Sequence, residues 1–268
     1  MRTSAIINLK GGVGKTTTVI NMAAVLAEQG KEVLCIDADP QANLTQFYGF
    51  KDPEKTIDQT MAELMDPDLE GRSEYAEDYI LETATPGISL VPASIDLINA
   101  DIASLRSDGQ RAVRTIRNLI AALEECARSE GTEEPFDHVL IDCPPSFTAA
   151  SVAAIYAADD VIVPVEADLF SITGLSTLLT QINSVRRIQP RVRVAGALIT
   201  KWHNTAACIQ GEAALRASNI PVFRQVIRRS DKVAEAIFSG QSLQAYSPQS
   251  AAGRDYRAFV DEYLEEVR

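Results

Sequence analysis

The sequence predicts an α/β fold, a doubly wound and mostly parallel sheet with helices on both faces. Apolar runs of strand length at 5–9, 32–37, 88–93, 136–142, 160–165 and 192–200 alternate with helical patterns along the whole chain, and such alternation implies parallel strands joined by right-handed crossovers. The runs are continuous, as in Val33-Leu34-Cys35-Ile36, which suits strands covered on both faces. Neither an internal repeat nor an interdomain linker interrupts the pattern. The 268 residues therefore read as one domain, 1–268, with a variable segment at about 50–87.

The first strand, Ala5-Ile6-Ile7-Asn8-Leu9, runs into Lys10-Gly11-Gly12-Val13-Gly14-Lys15-Thr16-Thr17 and then a helical pattern from Val19 to Glu28. Strand, glycine-rich turn and helix together form a phosphate cradle, because backbone N–H groups and the helix N-terminus converge on one anion. The glycines permit close backbone approach, Lys15 suits the β- and γ-phosphates, and the Thr16 hydroxyl suits Mg²⁺. A merely tight bend would leave Lys15 and Thr16 unexplained. The strict pattern has a glycine five residues before Gly14, where this chain has Leu9 with Lys10 beside it.

With that departure the stretch resembles the deviant Walker A motif of the ParA/MinD ATPases, a branch of the P-loop NTPases. The resemblance implies ATP as nucleotide, with Lys10, Gly11, Gly12, Val13, Gly14, Lys15, Thr16 and Thr17 binding it. It also implies that Lys10, at the position of the family's signature lysine, completes the site of a partner protomer in an ATP-dependent homodimer.

The helix after the loop carries a wide apolar face from Val19 to Ala27 and ends near Gly30, a plausible C′ residue. The second strand delivers Asp37-Ala38-Asp39-Pro40-Gln41 to the strand end where open α/β sheets bind ligands. These residues suit a plain turn. They also resemble the family's Asp-x-Asp-Pro-Gln motif, in which the residue at Asp39 orients the attacking water. From Gly49 to Gly87 the chain is polar and acidic, with loops at Asp66-Pro67-Asp68 and Glu70-Gly71-Arg72, short helices near Ile57 to Met65 and a strand near Tyr79 to Glu82. Helices are expected at Ile95 to Leu105 and at Gln110 to Arg128, where Arg111, Arg114 and Arg117 read as a solvated face.

The strand from Phe136 ends at Asp142-Cys143-Pro144-Pro145. A strand-terminal aspartate holds Mg²⁺ in P-loop NTPases, so Thr16 and Asp142 are the expected metal residues. The stretch also resembles the family's Walker B and switch region. His138 reads as structural. Helices follow at about Ile172 to Ile188 and Ala206 to Ala217, and Thr200-Lys201-Trp202-His203 suits either the border of a base pocket or an exposed loop.

Formal net charge is −12, yet between 186 and 232 ten cations face two carboxylates, a local +8. Such asymmetry supports a nucleic-acid footprint on an acidic protein. The stretch 220–236 resembles the C-terminal region of ParA partition ATPases, which implies sequence-independent binding of double-stranded DNA through Arg228, Arg229 and Lys232; solvated or helix-capping arginines are the plain alternative. The helix Arg254 to Arg268 is amphipathic but acidic, where a membrane-targeting helix more often has a basic polar face. No apolar run approaches the roughly 20 residues of a membrane span, and no secretory leader is evident. The four cysteines lack C-x-x-C spacing, which argues for buried thiols and against the iron–sulfur branch of the superfamily.

The expectation is a cytoplasmic partition ATPase, nucleoid-associated when bound to ATP, not bound to membrane, converting ATP and water to ADP and phosphate slowly until stimulated by a ParB-like partner. A MinD-like membrane-positioning ATPase and a nucleotide-switched protein-positioning module without DNA binding are the other readings. No DNA-reading domain precedes the first strand, so site-specific autorepression is not expected.

Overall fold

The computed structural model describes residues 1–268 except 67–72, 107–109 and 268. The loops expected at Asp66-Pro67-Asp68 and Glu70-Gly71-Arg72 lie largely outside the described residues. In chain order, β1 (Arg2–Ile6) feeds α1 (Lys15–Glu28) and β2 (Val33–Asp37), followed by the short helices α2 (Asn43–Phe47), α3 (Pro53–Thr56) and α4 (Met61–Met65). A 3-10 turn (Ala76–Tyr79) leads to β3 (Leu81–Glu82), β4 (Ile88–Val91), α5 (Leu97–Arg106) and α6 (Gln110–Glu130). Next come β5 (His138–Asp142), α7 (Ala149–Ala157), β6 (Asp160–Glu166), α8 (Leu169–Arg186), β7 (Arg193–Thr200) and α9 (Ala206–Arg216). The chain closes with α10 (Asp231–Phe238), α11 (Leu243–Tyr246) and α12 (Ala251–Glu266).

The seven strands among the described residues are ordered β3-β4-β2-β5-β1-β6-β7. Every pairing is parallel except β3 with β4, which is antiparallel at one edge, so the expected mostly parallel sheet is observed. Alternate residues of each strand enter opposite cores. Leu34, Ile36, Val139, Ile141, Val161 and Val163 face α4–α8, whereas Val33, Cys35, Leu140 and Ile162 face α1 and α12. This double coverage explains why the strands read as continuous apolar runs.

Among the described residues, helices α2, α3, α7, α10 and α11 lie outside the helical stretches that the sequence predicts. The segment of α7, Ala149-Ala150-Ser151-Val152-Ala153-Ala154-Ile155-Tyr156-Ala157, is small and apolar nearly all round, and most of it is buried. A helix enclosed on several sides has no polar stripe for periodicity to reveal. The helix after β6 begins at Leu169 rather than 172 because the Asp168 carboxylate accepts the Ser171 N–H at 2.9 Å and caps it.

Register fixes the site. Ile6 and Asp37 are both aligned with Asp142, so the C-terminal ends of β1, β5 and β2 stand side by side. The loop following β1 therefore lies against the carboxylates that end its neighbours.

Candidate nucleotide site

The turn between β1 and α1 is built on glycine. Gly12 has φ 75° and Gly14 φ 90°, values that a side chain would strain. Gly14 caps α1 without a side-chain bond. The Thr18 N–H closes back on the Gly14 carbonyl at 2.9 Å, so the amides of residues 15–17 have no intrahelical acceptor, and the positive end of the helix dipole faces the loop.

Lys15 enters this concavity almost buried, at 7 % exposure, and its ammonium donates to the Lys10 carbonyl at 3.3 Å. Burial lowers its pKa, and the nearby carboxylates of Asp142 and Asp39 work the other way. Asp142 is 1 % exposed. The Thr16 hydroxyl is close enough to favour the ionised carboxylate, yet neither carboxylate oxygen accepts a well-formed hydrogen bond. Burial, with Asp37 alongside, pushes this carboxyl well above its ordinary range. An orphaned buried carboxylate next to a hydroxyl fits a hard cation, which takes oxygen ligands. Among the described residues no group of three or more His, Cys, Asp or Glu side chains is arranged to hold a metal alone. Such a site suits an ion that shares its ligands with a substrate's phosphates.

Asp39 is 7 % exposed, and one of its carboxylate oxygens accepts the Gln41 N–H at 2.9 Å. Its orientation is set by Asp37, to which the sequence reading gave no separate role. Asp37, fully buried, accepts the Asp39 N–H at 3.1 Å, the Thr45 N–H at 2.9 Å and the Thr45 hydroxyl at 2.7 Å. Burial, against those bonds, raises its pKa to about 6. The Thr45 hydroxyl in turn accepts the Ala93 N–H at 2.9 Å, tying α2 to the ends of β2 and β4. The only sequence signal for this role was a second Asp ending a buried strand.

Lys10 is exposed, and its ammonium meets the Asp168 carboxylate at 2.6 Å. Burial opposes ionisation of Asp168, but the bonds from Lys10 and Ser171 hold its pKa below the usual carboxylate value. Beside the loop opens a cavity of about 520 Å³ lined by Gly14, Thr17, Thr200, Lys201, Ile227 and Arg229. The 200–203 stretch thus contributes to a pocket contiguous with the loop, and Lys201 takes up a left-handed φ of 51° there.

The basic stretch is largely neutralised. Six of its ten cations hold carboxylates: Arg193 with Asp160, Lys201 with Glu166, Arg216 with Glu212, Arg224 with Glu262, Arg228 with Asp255 and Lys232 with Glu235. Arg228 grips Asp255 through two nitrogens, at 2.8 and 2.6 Å. Arg229 is exposed, and among the described residues no carboxylate pairs with it. Five of the six carboxylates lie outside 186–232, so the local count of +8 overstates the free positive charge.

A family model described as an AAA domain matches residues 1–194. The chain is 35% identical to the chromosome-partitioning ATPase Soj of Thermus thermophilus, covering 100% of this chain and 97% of that protein. It is 35% identical to the chromosome partitioning protein ParA of Caulobacter vibrioides, covering 100% and 96%. Among solved structures it is similar to a Mycobacterium smegmatis protein titled cobyrinic acid a,c-diamide synthase, bound to an ATP analogue and magnesium. That likeness has a TM-score of 0.81 at 30% identity and covers 100% of this chain and 96% of that one. The Pyrococcus furiosus cell division ATPase MinD has a TM-score of 0.76 at 20% identity, covering 100% and 99%, and supports the fold alone.

Proposed function

Since the chain belongs to the family of the Soj and ParA partition ATPases, we propose that it is an ATP-switched partition ATPase. In this reading it dimerises on ATP, binds double-stranded DNA without sequence preference and hydrolyses ATP slowly until a ParB-like partner stimulates it. The observation that carries the nucleotide part is the unpaired, buried Asp142 carboxylate beside Thr16, Lys15 and the free amides of the loop.

The amides from Gly11 to Thr17 bind phosphate oxygens, and Lys15 adds its charge to the β- and γ-phosphates. Thr16 and Asp142 would hold Mg²⁺, which when bound neutralises charge on the phosphates. Asp39, oriented through Asp37, positions water for attack. No strongly basic general base for the attacking water is evident among the described residues, so turnover depends on positioning and electrostatics. In the single chain Lys10 is occupied by Asp168; dimerisation exchanges that exposed ion pair for contact with the partner's nucleotide. Exposed Arg229 is the best-supported DNA contact, whereas Arg228 and Lys232 must first share or leave their carboxylates.

The MinD-like reading gains no support from α12. Its apolar residues Tyr256, Phe259, Val260 and Tyr263 are buried against α1 and the sheet, leaving no free apolar face on that helix to insert into lipid. Among the described residues no helix is long and apolar enough to cross a membrane. The deciding experiment measures duplex-DNA binding and molecular mass together, without nucleotide, with ADP and with ATP–Mg²⁺. DNA binding that arises with an ATP-dependent dimer is the expected result. A verified ATP-bound dimer that ignores DNA at low salt would move the assignment to a protein-positioning module.

A further inference from the structure

Thr200, the last residue of β7, has no part in the reading above. It is 3 % exposed, and its hydroxyl lies 2.8 Å from the Val13 carbonyl oxygen and 3.2 Å from that of Val165. Both neighbours only accept, so the hydroxyl must donate, and its single proton favours the shorter contact in the phosphate loop. The Thr200 methyl group also lies 4.0 Å from where a Cβ on Gly14 would sit, so the side chain packs along this one peptide.

A trans peptide is planar, with its C=O and N–H pointing in opposite directions. Fixing the Val13 carbonyl toward Thr200 therefore turns the Gly14 N–H away from β7. That N–H meets no acceptor among the described residues. Gly14, at φ 90° and ψ 30°, has no side chain to hold the peptide, and glycine resists a peptide flip less than other residues do. The orientation must be imposed from outside the loop.

We propose that Thr200 is a positioning residue for the phosphate loop: its hydroxyl holds the Val13–Gly14 peptide so that the Gly14 N–H is presented to a ligand phosphate. The proposal rests on the phosphate-binding reading and names a residue 187 positions away in sequence as part of that site. Because Thr200 also lines the adjoining cavity, its effect on the phosphate side must be separated from any effect on the nucleoside side.

The test is calorimetric titration of ATP–Mg²⁺ and of inorganic tripolyphosphate–Mg²⁺ into the full chain and its Thr200→Val and Thr200→Ser variants, with folding checked by circular dichroism. Thr200→Val should weaken both ligands by the same factor, about tenfold for one lost hydrogen bond in a buried site, and Thr200→Ser should remain within about twofold of the parent. Unchanged binding, a loss for ATP alone, or a serine variant as weak as valine would each overturn the proposal. Should Thr200→Val not fold, Thr200→Cys replaces it, and its weaker donor should again cost both ligands equally. If the parent chain binds neither ligand, the phosphate-binding reading itself is wrong and the proposal goes with it.

Discussion

Two buried carboxylates, Asp39 and Asp142, act on the single ammonium of Lys15, and a third, Asp37, lies beside them without a cation of its own. The cluster is short of positive charge, and desolvation adds to the cost, so protonation of Asp37 and Asp142 is favoured. For Asp37 the folded pKa, about 6, lies above the ordinary 3.8. The folded state then binds more protons across that interval, and stability declines as pH rises through it. Asp37→Asn is neutral throughout, so its stability relative to the parent should improve by up to roughly 2 kcal/mol between pH 4.5 and 7 in urea unfolding without nucleotide. An advantage that shrinks with rising pH would refute the sign. The task proposed for Asp39 is different. Asp39→Ala should keep ATP affinity within a few-fold while turnover drops about a hundredfold or more, as measured by phosphate release; equal losses in binding and turnover would make Asp39 a binding residue.

At the scale of elements, the segment between α9 and α10 is held by α12. Glu262 accepts the backbone N–H groups of Arg224 and Gln225 at 2.7 and 2.8 Å, and Asp255 accepts the Arg228 N–H at 2.9 Å as well as its guanidinium. Arg228 and Arg229 are adjacent but differ in kind. Arg229→Ala should weaken duplex-DNA binding about tenfold for every sequence and flatten the salt dependence by about one counterion per protomer, with little change in thermal midpoint. Arg228→Ala leaves the nearly buried Asp255 with a backbone N–H but no cation, so it should first cost about 2 kcal/mol of stability. DNA titrations across a salt series, with melting curves, separate the two. The sequence placed the glycine-rich turn, Asp37 and Asp142 at the ends of continuous apolar strands, and the structure has them there, whereas the role expected of Asp39 came from the family resemblance and not from spacing. Which arginine is free was not legible, because its neighbours' partners come from a helix some 30 residues later. The helix α7 escaped for a related reason: small residues enclosed on several sides carry no amphipathic signal.

For the molecule as a whole, the pole of the sheet opposite the nucleotide site is closed by Asp160, which is fully buried. It accepts Arg2 at 2.7 Å, Arg193 at 2.8 Å and the Tyr263 hydroxyl at 3.0 Å, and that hydroxyl shares a bond with Ser4 at 2.7 Å. One carboxylate thereby joins β1, β6, β7 and α12. Asp160→Ala should cost about 3 kcal/mol, and Tyr263→Phe about 1 kcal/mol, in denaturant unfolding. ATP affinity of the folded fraction should be unchanged, since the loop lies at the other end of the strands.

The acids of α12 also act as a built-in counter-ion for the segment before α10. A protein clipped by protease ahead of Asp255 would lose Asp255, Glu262 and Glu265 together, stripping Arg224 and Arg228 of the groups that mask them. Such a fragment would still be acidic overall, but the uncovered arginines would form a local patch for any polyanion, nucleic acid or heparin alike. DNA retention that no longer depends on ATP in an aged preparation would therefore report damage at the C-terminal helix rather than a more active switch.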